Sequence, residues 1–121
     1  MNIEIITHQG VQVAEVTGEP KSLKGTEAVH DLIGEVAFNH RVPRVLASRE
    51  LVDESFFDLR SGFAGELAQK IANYRMKLAV VGDFNFVESL TLKAFIHESN
   101  LGNTVRFLKD REKALDWLVQ P

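Results

Sequence analysis

Hydrophobic and polar residues alternate along the first part of the chain. β-Branched side chains follow this alternation over residues 2–7 and 11–16, which predicts two strands. His8, Gln9 and Gly10 separate the two segments, and Gly10 can adopt the positive φ of a short turn. We therefore expect an antiparallel hairpin at the start of the chain, with His8 in its turn.

From Thr26 onward the apolar positions change to the spacing of a helix. Thr26 is a suitable N-cap for this helix. Gly34 lies inside it, which costs roughly 1 kcal/mol of stability unless close packing requires the missing side chain. The apolar positions that define the helix are Ala28, Val29, Leu32, Ile33, Val36 and Ala37.

The rest of the chain alternates between short apolar runs and helical patterns. Leu78 to Val81 is a continuous apolar run, which is typical of a parallel strand covered on both faces. Asp110 precedes the last helical pattern and is placed to cap it. The other predicted elements are strands over residues 44–48 and 104–108 and helices over residues 62–73 and 88–99.

The predicted order of elements is β-β-α-β-α-β-α-β-α. Strands that alternate with helices favour right-handed crossovers and a mostly parallel sheet, here with an antiparallel N-terminal strand. The length of 121 residues suits a single domain over residues 1–121. The expected fold is therefore a one-domain α/β protein.

Composition removes several classes of function. The formal charge of −3 argues against an electrostatic nucleic-acid binder. The absence of cysteine excludes disulfides, thiolate zinc sites and cysteine catalysis. No apolar run approaches the roughly 20 residues that span a bilayer, and no signal-peptide pattern is present. We therefore expect a cytoplasmic protein without a membrane partner.

The segment FFDLRSGFAGELAQKI, residues 56–71, places polar residues directly before an amphipathic helix. A helix start carries unpaired N–H groups and the positive end of the helix dipole, so it attracts a hydroxyl or an anion. Ser61 is therefore a candidate helix cap or phosphoacceptor, and Asp58 an alternative cap. A direct ligand contact by Ser61 remains a third interpretation.

The carboxyl ends of the predicted parallel strands form a second candidate site. Ligands of open α/β sheets bind beyond these ends, and phenylalanines beside charged residues suit a docking patch or an apolar pocket. At least two of the four phenylalanines near this edge, Phe56, Phe57, Phe84 and Phe86, are expected to cover the core instead. The candidate binding loop consists of Arg49, Glu50, Phe57, Asp58, Arg60, Gly62, Asp83 and Phe84.

No pattern in the chain establishes a reaction. The four histidines, at positions 8, 30, 40 and 97, do not have metal-ligand spacing, and both common glycine-rich phosphate motifs are absent. No nucleophile, base and acid can be assembled into one set. We therefore expect no metal and no cofactor, and a non-catalytic role is better supported than an enzymatic one.

The order of elements and the segment before the second helix resemble the STAS domain, the fold of bacterial anti-sigma-factor antagonists. In that family a loop after a strand carries an Asp, and a Ser or Thr followed by Gly begins the next helix. The matching residues here are Asp58, Ser61 and Gly62. The antagonists have one residue between the Asp and the phosphorylated Ser, whereas Leu59 and Arg60 both intervene here.

The longer stretch FFDLRSGFAGELAQKIANYRMKLAVVGDF is also similar to a bacterial family catalogued as domain of unknown function 4180. That similarity implies the same fold and no known activity. The combination of this fold, Ser61 at a helix start and the absence of a catalytic set leads us to expect a non-catalytic regulatory or protein-interaction domain with a protein partner. The Asp58–Gly62 loop is the candidate switch, and a homodimer is left open. The alternative function is a small-molecule or lipid-binding module that uses the strand-end loops.

Overall fold

A five-stranded sheet runs through the structure, a computed structural model that describes residues 1–121. The strands lie side by side in chain order, with the first pair antiparallel and all other neighbours parallel. This mixed α/β architecture confirms the predicted fold class and is consistent with a STAS-like layout. The strands are β1 (Asn2–His8), β2 (Val11–Thr17), β3 (Arg44–Ser48), β4 (Lys77–Val81) and β5 (Val105–Leu108).

Four α-helices complete the predicted order of elements. They are α1 (Gly25–Ile33), α2 (Phe63–Asn73), α3 (Leu90–Leu101) and α4 (Arg111–Leu118). None of them has the length and apolar character that a membrane span requires. The segment between β3 and α2 contains three short 3₁₀ turns, at Arg49–Leu51, Glu54–Phe57 and Leu59–Ser61.

The N-terminal hairpin has a two-residue turn. Gln9 and Gly10 have φ values of 51° and 78°, which a type I′ turn requires at both central positions. His8 pairs with Val11, so it is the last residue of β1 and the prediction that it lies in the turn is wrong. Its ring contacts Asp116 of α4 at 2.8 Å, which ties the hairpin to the last helix.

Helices cover both faces of the sheet. Helices α1 and α2 pack on one face, where Leu78 and Val80 of β4 join the larger core cluster. Ala79 points to the other face, where α4 contributes Leu115, Trp117 and Leu118 to a smaller cluster. Strand β4 is therefore covered on both faces, as its continuous apolar run predicts.

Helix α3 lies beside the edge strand β5. The Ser99 hydroxyl donates to the Val105 carbonyl oxygen at 2.5 Å, and the Asn100 amide oxygen accepts from the Phe107 N–H at 2.7 Å. The Asn100 amide also donates to the Phe107 carbonyl oxygen at 3.2 Å. These contacts satisfy polar groups of the edge strand that another strand would otherwise pair with.

The start of α1 differs from the prediction. The helix begins at Gly25, and its first turn has no side-chain cap, so Thr26 is not the N-cap. The Thr26 hydroxyl instead donates to the carboxylate of Glu66 on α2, a contact that sequence spacing does not reveal. Asp110 does cap α4, because its carboxylate accepts from the Glu112 N–H at 2.8 Å.

Candidate functional site

The carboxyl ends of β3 and β4 bring Arg49 against Gly82. Arg49 directly follows β3, and Gly82 directly follows β4. A Cβ atom at Gly82 would lie 2.7 Å from the Arg49 Cβ atom, closer than such atoms approach in proteins. The absent side chain of Gly82 therefore makes room for the Arg49 stem.

The guanidinium of Arg49 is held in place but poorly paired. Its Cζ atom lies 4.8 Å from the ring centroid of Phe86, a cation–π distance. Its Nε atom is buried and has no hydrogen-bond partner. Its contact with Glu50, from Nη2 to Oε1, is 3.5 Å long and therefore weak.

Phenylalanines form a continuous path from the core to the surface at this edge. Phe56 is 1% exposed and contacts Phe107 of β5 at a centroid distance of 5.6 Å. Phe57 lies 5.1 Å from Phe56 and 5.2 Å from Phe86, which is 47% exposed. Phe84 packs partly buried against the core. Phe56, Phe57 and Phe84 thus cover the core as expected, and Phe86 remains open to solvent.

The turn before α2 is organised by Asp58. Its carboxylate accepts from both the backbone N–H and the side-chain Nε of Arg60, each at 3.1 Å. The hydrogen bond from the Arg60 side chain is the main reason that the pKa of Asp58 is lowered. Gly62 then reverses the chain into α2 with a φ of 77°, a conformation that favours glycine.

The Ser61 hydroxyl joins two parts of this segment. It donates to the carbonyl oxygen of Ser55 at 2.5 Å and accepts from the N–H of Phe63, the first residue of α2, at 3.2 Å. Ser55 is held in turn by Asp53, whose carboxylate accepts from the Ser55 N–H and hydroxyl. The hydroxyl bond from Ser55 is the largest cause of the lowered pKa of Asp53.

Two open cavities flank the Phe57 side chain. The first, which we call the partner groove, has a volume of about 600 Å³. The second, the Arg49 pocket, has a volume of about 390 Å³. The partner groove is lined by Phe57, Asp58, Leu59, Arg60, Ser89, Thr91 and Leu92. The Arg49 pocket is lined by Pro20, Lys21, Arg49, Glu50, Val52, Glu54, Phe57 and Phe86.

The predicted binding loop is thus divided between two cavities. Arg49 and Glu50 line the pocket, Asp58 and Arg60 line the groove, and Phe57 lines both. The other three predicted residues line neither cavity: Gly62 shapes the turn, Asp83 accepts from the Asn85 N–H at 2.8 Å, and Phe84 lines a separate hollow beside α3.

Sequence reasoning missed the walls that come from distant segments. The start of α3 supplies one side of the partner groove through Ser89 and Thr91. The segment before α1 supplies one side of the Arg49 pocket, because the Lys21 N–H donates to the Glu50 carbonyl oxygen at 2.8 Å. The amino group of Lys21 also contacts Glu54 at 2.7 Å. No local sequence signal indicates these pairings.

Titratable side chains do not gather into a metal site, since no three His, Asp or Glu residues lie close enough to hold an ion. Each histidine occupies a different part of the fold, at the end of β1, in α1, between α1 and β3, and in α3. The polar groups that do converge at the strand ends are arginines, acids and hydroxyls.

Comparison with known families assigns the chain to one of them. A family model described as Domain of unknown function (DUF4180) matches residues 8–118. The chain therefore belongs to this family. No curated protein matches the chain significantly.

Proposed function

We propose that this protein is a non-catalytic regulatory domain that docks a protein partner in the partner groove. The observation that carries the proposal is a set of three apolar lining residues from two separate elements, the half-buried Phe57 and Leu59 before α2 and the buried Leu92 of α3. The other lining residues are polar and exposed, namely Asp58, Arg60, Ser89 and Thr91. An apolar centre with a polar rim is the usual anatomy of a protein interface.

The partner fits the groove through a short apolar segment. Recognition of an amphipathic helix by a hydrophobic groove uses a few apolar anchors, and the three apolar side chains that line this groove match that mode. The rim charges of Asp58 and Arg60 are paired with each other, so they favour neither an acidic nor a basic partner. Apolar contact therefore supplies most of the binding.

The Ser61 hydroxyl offers a mechanism for regulation of the groove. A phosphate on Ser61 removes the proton that the hydroxyl donates to the Ser55 carbonyl and places negative charge near that oxygen. The link between the residues before the turn and the start of α2 is then broken. Since Asp58, Leu59 and Arg60 lie between these two contacts, phosphorylation is expected to change the shape of the groove.

Affinity capture from the native host tests the docking proposal with two variants of α3. Thr91→Arg puts a long charged side chain into the groove, whereas Ala94→Arg makes the matched change at an exposed position of the same helix outside the groove lining. We expect Thr91→Arg to lose a partner that wild type and Ala94→Arg both retain. Equal capture by all three proteins would contradict the proposal.

A second candidate function, a small-molecule site, is favoured by a different observation. The Arg49 pocket has an unpaired arginine atom at its wall, and a backbone hydrogen bond from Lys21 to Glu50 joins two of the segments that line it. Its volume of about 390 Å³ suits a small ligand.

A further inference from the structure

The Arg49 pocket combines a fixed cation with apolar walls. The Arg49 side chain is only 31% exposed, its stem packs against Gly82, and its guanidinium lies over the ring of Phe86. Placing the guanidinium in this position leaves the buried Nε atom without a partner, which is unfavourable for a polar group. The guanidinium is thus fixed with its Nε atom turned away from solvent, so only its outer nitrogens can reach a ligand.

The charges around the pocket leave the outer edge of the guanidinium available. Lys21 and Glu54 contact each other at 2.7 Å, and this hydrogen bond is the main reason that the pKa of Lys21 is raised. Glu50 reaches Arg49 only at 3.5 Å and is 63% exposed, so solvent weakens the pair. An incoming anion thus competes with one loose carboxylate.

The shape of the guanidinium selects the anion. A planar arginine fork matches a carboxylate through two parallel N–H···O hydrogen bonds. Among the other lining residues, Val52, Phe57 and Phe86 offer contact to an apolar body. Inorganic phosphate lacks such a body and leaves these walls uncovered.

We propose that the Arg49 pocket binds a small organic carboxylate with an aliphatic or aromatic body. The carboxylate pairs with the outer nitrogens of Arg49, and the body packs on Phe57 and Phe86. The site lies at the carboxyl edge of parallel strands, where open α/β sheets hold their ligands. This proposal rests on the small-molecule site proposed above and names the class of its ligand. It does not depend on partner docking, because purified protein alone suffices for its test.

Nitrogen-15 NMR of the full chain provides the test, with the Arg49 Nε–H resonance as the reporter. The probes are hexanoate, phenylacetate, acetate, neutral hexanamide and inorganic phosphate, each to about 10 mM, which reveals dissociation constants into the millimolar range. We expect hexanoate or phenylacetate to shift the Nε–H signal and the amides of residues 82–86 saturably. Acetate, hexanamide and phosphate are expected to bind at least about tenfold more weakly.

Variants at two arginines separate recognition from non-specific charge. Arg49→Met and the milder Arg49→Lys are expected to weaken hexanoate or phenylacetate binding at least about tenfold. Arg75→Met makes the matched change at an exposed arginine outside the pocket and leaves binding unchanged. The same spectra show whether each variant is folded.

Three results would overturn the proposal. The first is no saturable shift at Arg49 with either apolar carboxylate. The second is equal binding of hexanoate and hexanamide, which means that the carboxylate is not recognised. The third is unchanged binding by folded Arg49→Lys and Arg49→Met. None of these results bears on capture of a protein partner, so the two proposals fail separately.

Discussion

Ser61 and Asp53 hold the turn before α2 through side-chain contacts with Ser55. The Ser61 hydroxyl acts as donor to one backbone group and acceptor from another, while the Asp53 carboxylate acts only as acceptor. The two side chains therefore respond differently to substitution. A change at Ser61 removes the donor, and a change of pH acts on Asp53.

Replacement of Ser61 tests how much its hydroxyl hydrogen bonds contribute to stability, with or without a negative charge at that position. Both Ser61→Ala and Ser61→Asp lose the donor to Ser55, so each is expected to lower the free energy of unfolding by about 1 kcal/mol. Chemical denaturation measures this change. Ser48→Ala is the control, because Ser48 is exposed and its hydroxyl makes no hydrogen bond within the chain. A loss no larger than that of the control contradicts the bridging role of the Ser61 hydroxyl.

Asp53 is expected to make stability dependent on acid pH. Its pKa is lowered in the folded state, so the charged form stabilises the fold above the ordinary aspartate pKa of about 4. This contribution is lost as the pH falls through the folded-state pKa. The stability difference between wild type and Asp53→Asn should therefore shrink from pH 7 to pH 3. Asp31→Asn provides the baseline, and a difference that does not shrink relative to it contradicts the prediction.

Single residues show where sequence reasoning succeeds and fails. The capping position of Asp110 was predictable because a cap acts on a helix that begins at the next residue. The contact of Thr26 with Glu66 was not, since it joins two helices 40 positions apart. The same limit applies to Gly82, whose need for a missing side chain depends on Arg49 from another strand end.

At the scale of elements, the chain stays helical after α1 ends at Ile33. The chain continues from Gly34 to Asn39 as a π-helical segment, and Val36 in this segment belongs to the core. The apolar spacing over Val36 and Ala37 correctly predicted a continued helix. It did not predict the π-helical hydrogen bonds, because apolar residues at neighbouring positions are buried in an α-helix and in a π-helix alike.

Gly34 lies at the junction of the two helix types. Its backbone is right-handed helical, with φ of −58°, and a Cβ atom there would meet nothing within 4 Å. Close packing therefore does not require glycine, and Gly34→Ala is expected to raise the free energy of unfolding by about 0.5 to 1 kcal/mol.

The same substitution at Gly62 is expected to change the free energy of unfolding in the opposite direction. Gly62 also has room for a Cβ atom, but its φ of 77° strains any other residue. Gly62→Ala is therefore expected to lower the free energy of unfolding. Thermal or chemical denaturation of Gly34→Ala and Gly62→Ala measures both changes. If both variants change stability in the same direction, backbone conformation does not control these two sites.

At the scale of the whole molecule, the two edges of the sheet use their cations differently. Near the amino edge, Arg44 donates to the Leu118 carbonyl oxygen at 2.8 Å and Lys77 to that of Gln120 at 2.9 Å. Burial, followed by the charges of Arg44 and Arg106, lowers the pKa of Lys77. These cations bind the chain at and beyond the end of α4. At the carboxyl edge, Arg49 has no comparable partner within the chain, so its guanidinium is available to a ligand.

The sequence predicted a candidate site at the carboxyl ends of the strands, but it did not predict that the site is divided into two cavities. The position of strand ends follows from element order, so Arg49, Asp58 and Asp83 were expected near one another. The Phe57 side chain separates the edge into a groove and a pocket, and that depends on how far each loop extends before it turns. Loop paths of this kind are set by contacts between distant residues.

Photo-crosslinking in the native host shows whether a protein partner occupies the partner groove. A photoreactive phenylalanine analogue replaces Thr91 at the groove rim or, as the control, Ala94 outside the groove lining. We expect a discrete crosslinked product from position 91 that position 94 does not form. A product from position 94 alone, or none from position 91, would contradict it.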